Sequence, residues 1–112
     1  CCEVWVVRAR PLVLLRQLAR PADPALVGEG APAAPAAPGQ ALALSGWDPA
    51  GLPPLFHARP APVLVDAAVP ELGEAWCAAG TPDAFFRCEA AALVQAVLAA
   101  APAGEVRAVA AP

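Results

Sequence analysis

Residues 3–10 read EVWVVRAR and residues 12–20 read LVLLRQLAR, and this pair of apolar runs decides the fold of the chain. β-Branched and aromatic side chains dominate the first run, which predicts a β-strand. Pro11 separates the two runs, and proline is favourable in the first turn of a helix. We therefore predict a short helix over residues 12–20, with the second arm of a β-ribbon as the alternative.

The next segment, residues 21–40, reads PADPALVGEGAPAAPAAPGQ. Proline, glycine and alanine leave little side-chain area to bury and favour an extended or mobile chain. We predict a flexible Pro/Ala/Gly-rich linker or insertion here, without regular structure.

Further along the chain, short patterns predict strands at residues 41–45, 62–66 and 105–109, and helices at residues 69–79 and 82–101. The longer helix has the clearest start, since Thr81 can cap it and Pro82 suits its first position. Its apolar stripe places Phe86, Leu93 and Val97 toward the core and leaves Gln95 outside.

This order of elements predicts an α+β fold, a small sheet with helices on one face and the Pro/Ala-rich linker inserted. A length of 112 residues suits one domain, so we expect residues 1–112 to form a single small domain.

Composition excludes several classes of function. The formal net charge of −3 and the seven dispersed arginines argue against non-specific nucleic-acid binding. The chain has no apolar run long enough to cross a membrane. It also lacks lysine, isoleucine, asparagine, tyrosine and methionine, a bias that indicates a GC-rich genome.

The four cysteines pose the main functional question. Cys1 and Cys2 are adjacent, while Cys77 and Cys88 lie far downstream. Neighbouring cysteines rarely bond each other, which leaves Cys1–Cys77 with Cys2–Cys88, or the crossed pairing. The alternative is four unrelated buried thiols.

No catalytic, metal or cofactor site is predicted. Ser45 and His57 lack the sequence context of a nucleophile elbow. A zinc site made from the four cysteines would lack a Cys-x-x-Cys knuckle. Glu71 and Glu74 could face each other on a helix, but a solvated face is their ordinary interpretation.

An early Cys-Cys pair, an aliphatic run and a final cysteine at the start of an apolar helix (CEAAALVQAVLAA from Cys88) resemble the CC chemokine scaffold. The glycoprotein L family of gammaherpesviruses has a chemokine-like fold and shares this pattern. The resemblance implies a disulfide-bonded, non-enzymatic partner of a larger viral envelope glycoprotein.

Two functional hypotheses follow. The first is a secreted or surface module, stapled by disulfides, that binds another protein, such as a larger subunit or receptor, and has neither a nucleic-acid partner nor a membrane span. The alternative is the C-terminal fragment of a larger intracellular bacterial α/β protein or enzyme from a GC-rich genome, located in the cytoplasm.

Overall fold

A computed structural model describes residues 2–110 of the chain. Within them lie seven strands and three α-helices, which confirms the predicted α+β class. The strands are β1 (Cys2–Val7), β2 (Arg10–Leu15), β3 (Ala33–Pro35), β4 (Val63–Asp66), β5 (Glu74–Ala78), β6 (Phe85–Glu89) and β7 (Gly104–Arg107). The helices are α1 (Pro24–Gly28), α2 (Pro38–Ser45) and α3 (Ala90–Ala100).

Five of the strands form one mixed sheet in the order β3-β1-β2-β4-β7. β1 and β2 are an antiparallel hairpin whose turn holds Arg8 and Ala9 at φ values of 53° and 62°. Two successive positive φ angles are typical of the type I′ turn that joins tightly paired strands. On its other edge β2 pairs with β4 in parallel, and β4 pairs with β7 in parallel.

The predicted helix over residues 12–20 is wrong and its alternative, the second arm of a β-ribbon, is what the structure shows, because residues 12–15 belong to the central strand β2 and pair with β1. Val13 and Leu15 face one side of the sheet and Leu14 the other, and all three are buried. A strand covered on both faces reads as a continuous apolar run, which a buried helix can produce as well.

Helices cover both faces of this sheet. One face packs against α2, α3 and β5, in a core that includes Val4, Val63 and Val65. The opposite face holds Trp5 and Leu64 and is covered by Val27 of α1 together with Val109.

Strands β5 and β6 form a separate antiparallel ribbon, so the helix predicted over residues 69–79 is wrong. Ala75 and Cys77 are buried while Trp76 between them is 60% exposed, and this alternation has the period of a strand. Only Pro70–Leu72 is helical in that range, as one 3-10 turn.

The predicted helix over residues 82–101 starts too early, since α3 begins at Ala90. The preceding residues pair with β5 as strand β6, from Ala78↔Phe85 to Glu74↔Glu89. The cap signal at residues 81–83 belongs to the ribbon turn instead, where the Thr81 hydroxyl donates to Asp83 Oδ1 at 2.8 Å. The prediction for the helix body holds, because Leu93 and Val97 are buried and Gln95 is exposed.

Residues 21–45 differ from the predicted linker and strand, because they contain α1, β3 and α2. Asp23 caps α1 by accepting a hydrogen bond from the Ala25 amide at 2.9 Å. Gln40 Oε1 accepts from the Ala37 amide at 2.9 Å at the start of α2. Each helix has proline in its first turn, so the residues that suggested a linker are helix-start residues here.

No helix within residues 2–110 is long and apolar enough to cross a membrane. That residues 1–112 form a single domain stays a prediction.

Candidate functional site

A surface depression lies where β2 and β4 end and β1 begins. Two adjoining cavities of about 240 Å³ each share Leu18 and Trp76 as lining residues. We call the pair the edge groove. The first of these cavities is lined by Cys2, Glu3, Pro49, Ala50, Leu52, Ala78 and Phe85. The lining of the other includes Leu15, Arg16, Val69, Leu72, Cys77 and Leu93. The carboxyl ends of parallel strands are where open α/β sheets bind ligands.

The floor of the first cavity is the 3-10 turn Pro49–Gly51. Asp48 caps this turn, because its Oδ1 accepts from the Ala50 amide at 2.8 Å. The turn lies directly on the β5–β6 connection, where the Gly80 amide donates to the Gly51 carbonyl at 3.0 Å. A Cβ on Gly51 would stand 2.5 Å from the backbone of Thr81. Only glycine permits this approach.

The aromatic wall of the groove comes from the β5–β6 ribbon. Trp76 and Phe85 are each 60% exposed, which is high for such large apolar side chains. The Arg87 guanidinium stacks over Trp76 at 5.8 Å from the ring centroid and pairs with Glu74 at 3.5 Å. The wall therefore presents two large aromatic side chains to solvent, beside one ion pair.

A partly buried ion pair connects the two halves of the groove. Arg16 Nε donates to Glu3 Oε1 at 2.6 Å, and the Trp5 indole donates to the same oxygen at 3.2 Å. Burial raises the pKa of the Glu3 carboxyl, but the hydrogen bonds from Arg16 and Trp5 outweigh it and leave the pKa below its usual range. Glu3 is thus an oriented, ionised carboxylate at neutral pH.

The cysteines next to the groove do not have the lowered thiol pKa of a nucleophile. Burial raises the pKa of the Cys2 thiol to about 12, and burial with the neighbouring Cys88 and Cys2 raises that of Cys77 to about 11. Both thiols are protonated at neutral pH, whereas the thiolate is the reactive form.

The expected disulfides are not formed by the described cysteines, since Cys2, Cys77 and Cys88 are free thiols. Cys1, the fourth predicted bridging residue, lies outside the described residues. The three described thiols pack in or against the main core, where free cysteine behaves as a small apolar residue. The prediction of a secreted module stapled by disulfides is therefore wrong.

The other residues considered from sequence have local roles. The Ser45 hydroxyl is buried and donates to the Ala41 carbonyl at 2.7 Å, so it closes the last turn of α2. His57 Nε2 lies 2.7 Å from the Pro53 carbonyl and donates to it. Glu71 and Glu74 do not share a helix, because Glu74 opens β5. No cluster of three metal-ligating side chains occurs within residues 2–110.

Sequence reasoning missed Glu3, Arg16, Gly51 and the aromatic pair as parts of one site. Turn residues at 46–54 and 79–82 were the available signal, since Gly-Trp-Asp-Pro and Ala-Gly-Thr-Pro both interrupt regular structure. What that signal lacked was any indication that the two turns touch.

Solved structures provide the comparison with known proteins. A protein proposed as a trans-editing enzyme for prolyl tRNA synthetase matches with a TM-score of 0.80 and 27% identity, covering 99% of this chain and 69% of that one. A scaffold from a computational study of epitope backbone grafting matches at 0.84 and 22%, covering 99% and 70%. A hypothetical protein matches at 0.82 and 17%, covering 98% and 72%. The chain has their fold.

No family model matches the chain, and no curated protein matches it. The three structures also overturn the resemblance to chemokine-like glycoprotein L. The matched folds extend over nearly the whole chain and include the segment between Cys2 and Cys77, whereas that resemblance rested on the two ends alone. Nothing in the fold supports a viral envelope protein.

Proposed function

We propose that the chain is an editing domain, which takes the aminoacyl end of a charged tRNA into the edge groove and hydrolyses its ester bond. The observation that supports this most is the likeness, along 99% of the chain at 27% identity, to a protein proposed as a trans-editing enzyme for prolyl tRNA synthetase. Of the two hypotheses from sequence, this is the enzyme alternative.

The size and lining of the groove suit such a substrate. An apolar synthetase pocket discriminates weakly against smaller amino acids, so a second site that admits small products is needed for accuracy. The first cavity has a volume of about 240 Å³ and apolar walls that include Leu18, Leu52 and Phe85. We propose that a small amino-acid side chain lies against these walls.

Glu3 supplies the polar contact that an aminoacyl ester requires. The α-amino group of the ester is a cation, and Glu3, whose carboxylate is ionised, is one of the residues that line the same cavity. A hydrogen bond between two ionised groups is short and strong. Arg16 acts as a positioning residue, because its bond to Glu3 fixes the carboxylate that the ammonium meets.

Water is the nucleophile in this proposal. Its oxygen attacks the ester carbonyl carbon, the bond from that carbon to the ribose oxygen breaks, and a proton from water passes to the ribose oxygen. The Cys2 thiol remains protonated at neutral pH, so it is not the nucleophile. Holding the ester and a water molecule in reactive geometry supplies the rate enhancement.

The proposed contact with tRNA is confined to the single-stranded 3′ end that carries the amino acid. The expectation from the net charge of −3, that the surface does not bind nucleic acid non-specifically, stays a prediction. We further propose that the protein works inside the cell, because free thiols such as Cys77 and Cys88 are typical of reducing compartments.

Deacylation of alanine-charged proline tRNA tests the proposal. We expect the protein to release alanine faster than buffer does, and we expect Glu3→Gln to raise KM about tenfold through loss of one charge-assisted hydrogen bond. Release is measured from radiolabelled alanine over a range of tRNA concentrations.

Glu105→Gln is the matched control. Glu105 is exposed on the edge strand β7 and pairs with Arg107 at 2.6 Å, so its replacement leaves the groove intact. Release no faster than in buffer contradicts the proposed function. An unchanged KM in Glu3→Gln contradicts the role of Glu3.

A further inference from the structure

Phe56 is held in an unusual position outside the edge groove. Its side chain is 85% exposed, and its backbone has a φ of 66°. The left-handed region is unfavourable for a bulky residue and is usually left to glycine. Both features disfavour phenylalanine in a purely structural role.

Hydrogen bonds on both sides keep Phe56 there. The Trp47 indole donates to the Phe56 carbonyl at 3.1 Å, and the His57 ring donates to the Pro53 carbonyl at 2.7 Å. Just beyond, the Ala58 amide donates to the Ser45 carbonyl at 2.8 Å. The loop is therefore fixed, so the ring presents a stable face to solvent.

Another cavity, separate from the two cavities of the edge groove, adjoins the ring, and we call it the Phe56 cavity. Its volume is about 250 Å³, and its lining includes Phe56, His57 and Arg59 with the end of α3. No acidic side chain is among its lining residues. Arg59 is exposed and makes no ion pair with the carboxylates of residues 2–110. Proteins bind single-stranded nucleic acid with aromatic side chains that stack on bases and cations that hold the backbone, and Phe56 and Arg59 offer one of each.

We propose that Phe56 and Arg59 bind the single-stranded 3′ segment of the tRNA, with a base stacked on Phe56 and a phosphate on Arg59. This inference rests on the proposed function. Only three residues lie between Leu52, in the edge groove, and Phe56, so their Cα atoms are at most about 14 Å apart along the loop. A strand whose aminoacyl end occupies the groove can reach the ring.

Binding of a labelled RNA with the uncharged single-stranded 3′ end of a tRNA tests this by fluorescence anisotropy. We expect Phe56→Gly to weaken binding about tenfold, since one base–aromatic stack is lost. Glycine accepts the positive φ, so the variant keeps its fold. Phe56→Trp restores stacking and should bind within about twofold of the unaltered protein, since the indole offers at least as large a face.

Leu42→Ala is the control, because Leu42 is an exposed apolar residue on α2 that lines neither the edge groove nor the Phe56 cavity. It should leave RNA binding unchanged. Equal binding by Phe56→Gly and the unaltered protein overturns the inference, as does the absence of binding by the unaltered protein.

A minimal substrate separates this inference from the proposed function. Alanyl-adenosine lacks the strand, so we expect Phe56→Gly to hydrolyse it at the unaltered rate while its KM for charged tRNA rises. If KM for charged tRNA does not rise, the inference fails and the editing function stands. If neither substrate is hydrolysed by the unaltered protein, the editing function fails, and the anisotropy result still decides whether the Phe56 site binds RNA.

Discussion

Gly51→Ala is expected to destabilise the protein by about 3 kcal/mol and to abolish deacylation. The new Cβ would lie 2.5–2.6 Å from three backbone atoms of Thr81, and backbone cannot rotate away as a flexible side chain can. The turn at Pro49–Gly51 must then separate from the β5–β6 connection, which moves the floor of the edge groove away from its aromatic wall. Urea unfolding and alanine release from charged tRNA measure the two effects.

Gly39→Ala is the matched control for that substitution. Gly39 lies in α2, and a Cβ there would meet nothing within 4 Å. Alanine at an exposed helix position is favoured over glycine, so stability should stay the same or rise by up to about 1 kcal/mol. A Gly51→Ala protein as stable and active as Gly39→Ala would show that the two turns are not in contact.

Leu93→Ala is the second large expected effect, a loss of about 2–5 kcal/mol. Leu93 is 5% exposed and packs from α3 into the main core, where it also lines the edge groove. Removal of its branched end leaves a cavity in the core, which movement of the sheet and the ribbon fills only in part. The loss is a large part of the total stability of a small protein, so a denaturant melt should show it clearly.

Gln95→Ala should cost under about 0.5 kcal/mol, because Gln95 lies on the exposed side of the same helix. Equal losses in Leu93→Ala and Gln95→Ala would mean that α3 faces the other way or buries its polar side against a partner.

Phe86 shows how the strand–helix boundary matters. It lies half-buried on β6, so it supports the core from the ribbon and not from the helix.

Local pattern was enough to predict the elements whose residues favour one structure. β1 and β4 consist largely of β-branched and aromatic residues, and both were predicted as strands. The body of α3 has a strong helical period and was predicted as well. The run LVLL in β2 was ambiguous, because a strand buried on both faces lacks alternation.

The misread elements depended on contacts that short windows do not contain. β5 pairs with β6, and that pairing decides against the helix that Ala75, Trp76 and Cys77 otherwise allow. The disulfide prediction rests on the number and spacing of the cysteines, which do not show whether two thiols meet in the fold. Burial in an apolar core explains Cys2 and Cys77 without any bond.

The candidate site could not be predicted from the sequence for the same reason. Glu3 and Arg16 meet only because the hairpin register places Glu3 opposite Leu14, two residues before Arg16. Gly51 and Thr81 come together through the packing of two turns that belong to different parts of the fold. Turn chemistry marked both segments in the sequence, but their contact is a property of the folded chain.

A crystal structure with a non-hydrolysable alanyl-adenosine analogue tests the central claim most directly. We expect the ammonium group of the analogue within about 3 Å of a Glu3 carboxylate oxygen and its methyl group against Leu18, Trp76 or Phe85. Density for the analogue only at the cavity beside His57, or an ammonium group remote from Glu3, would contradict the assignment of the edge groove as the editing site.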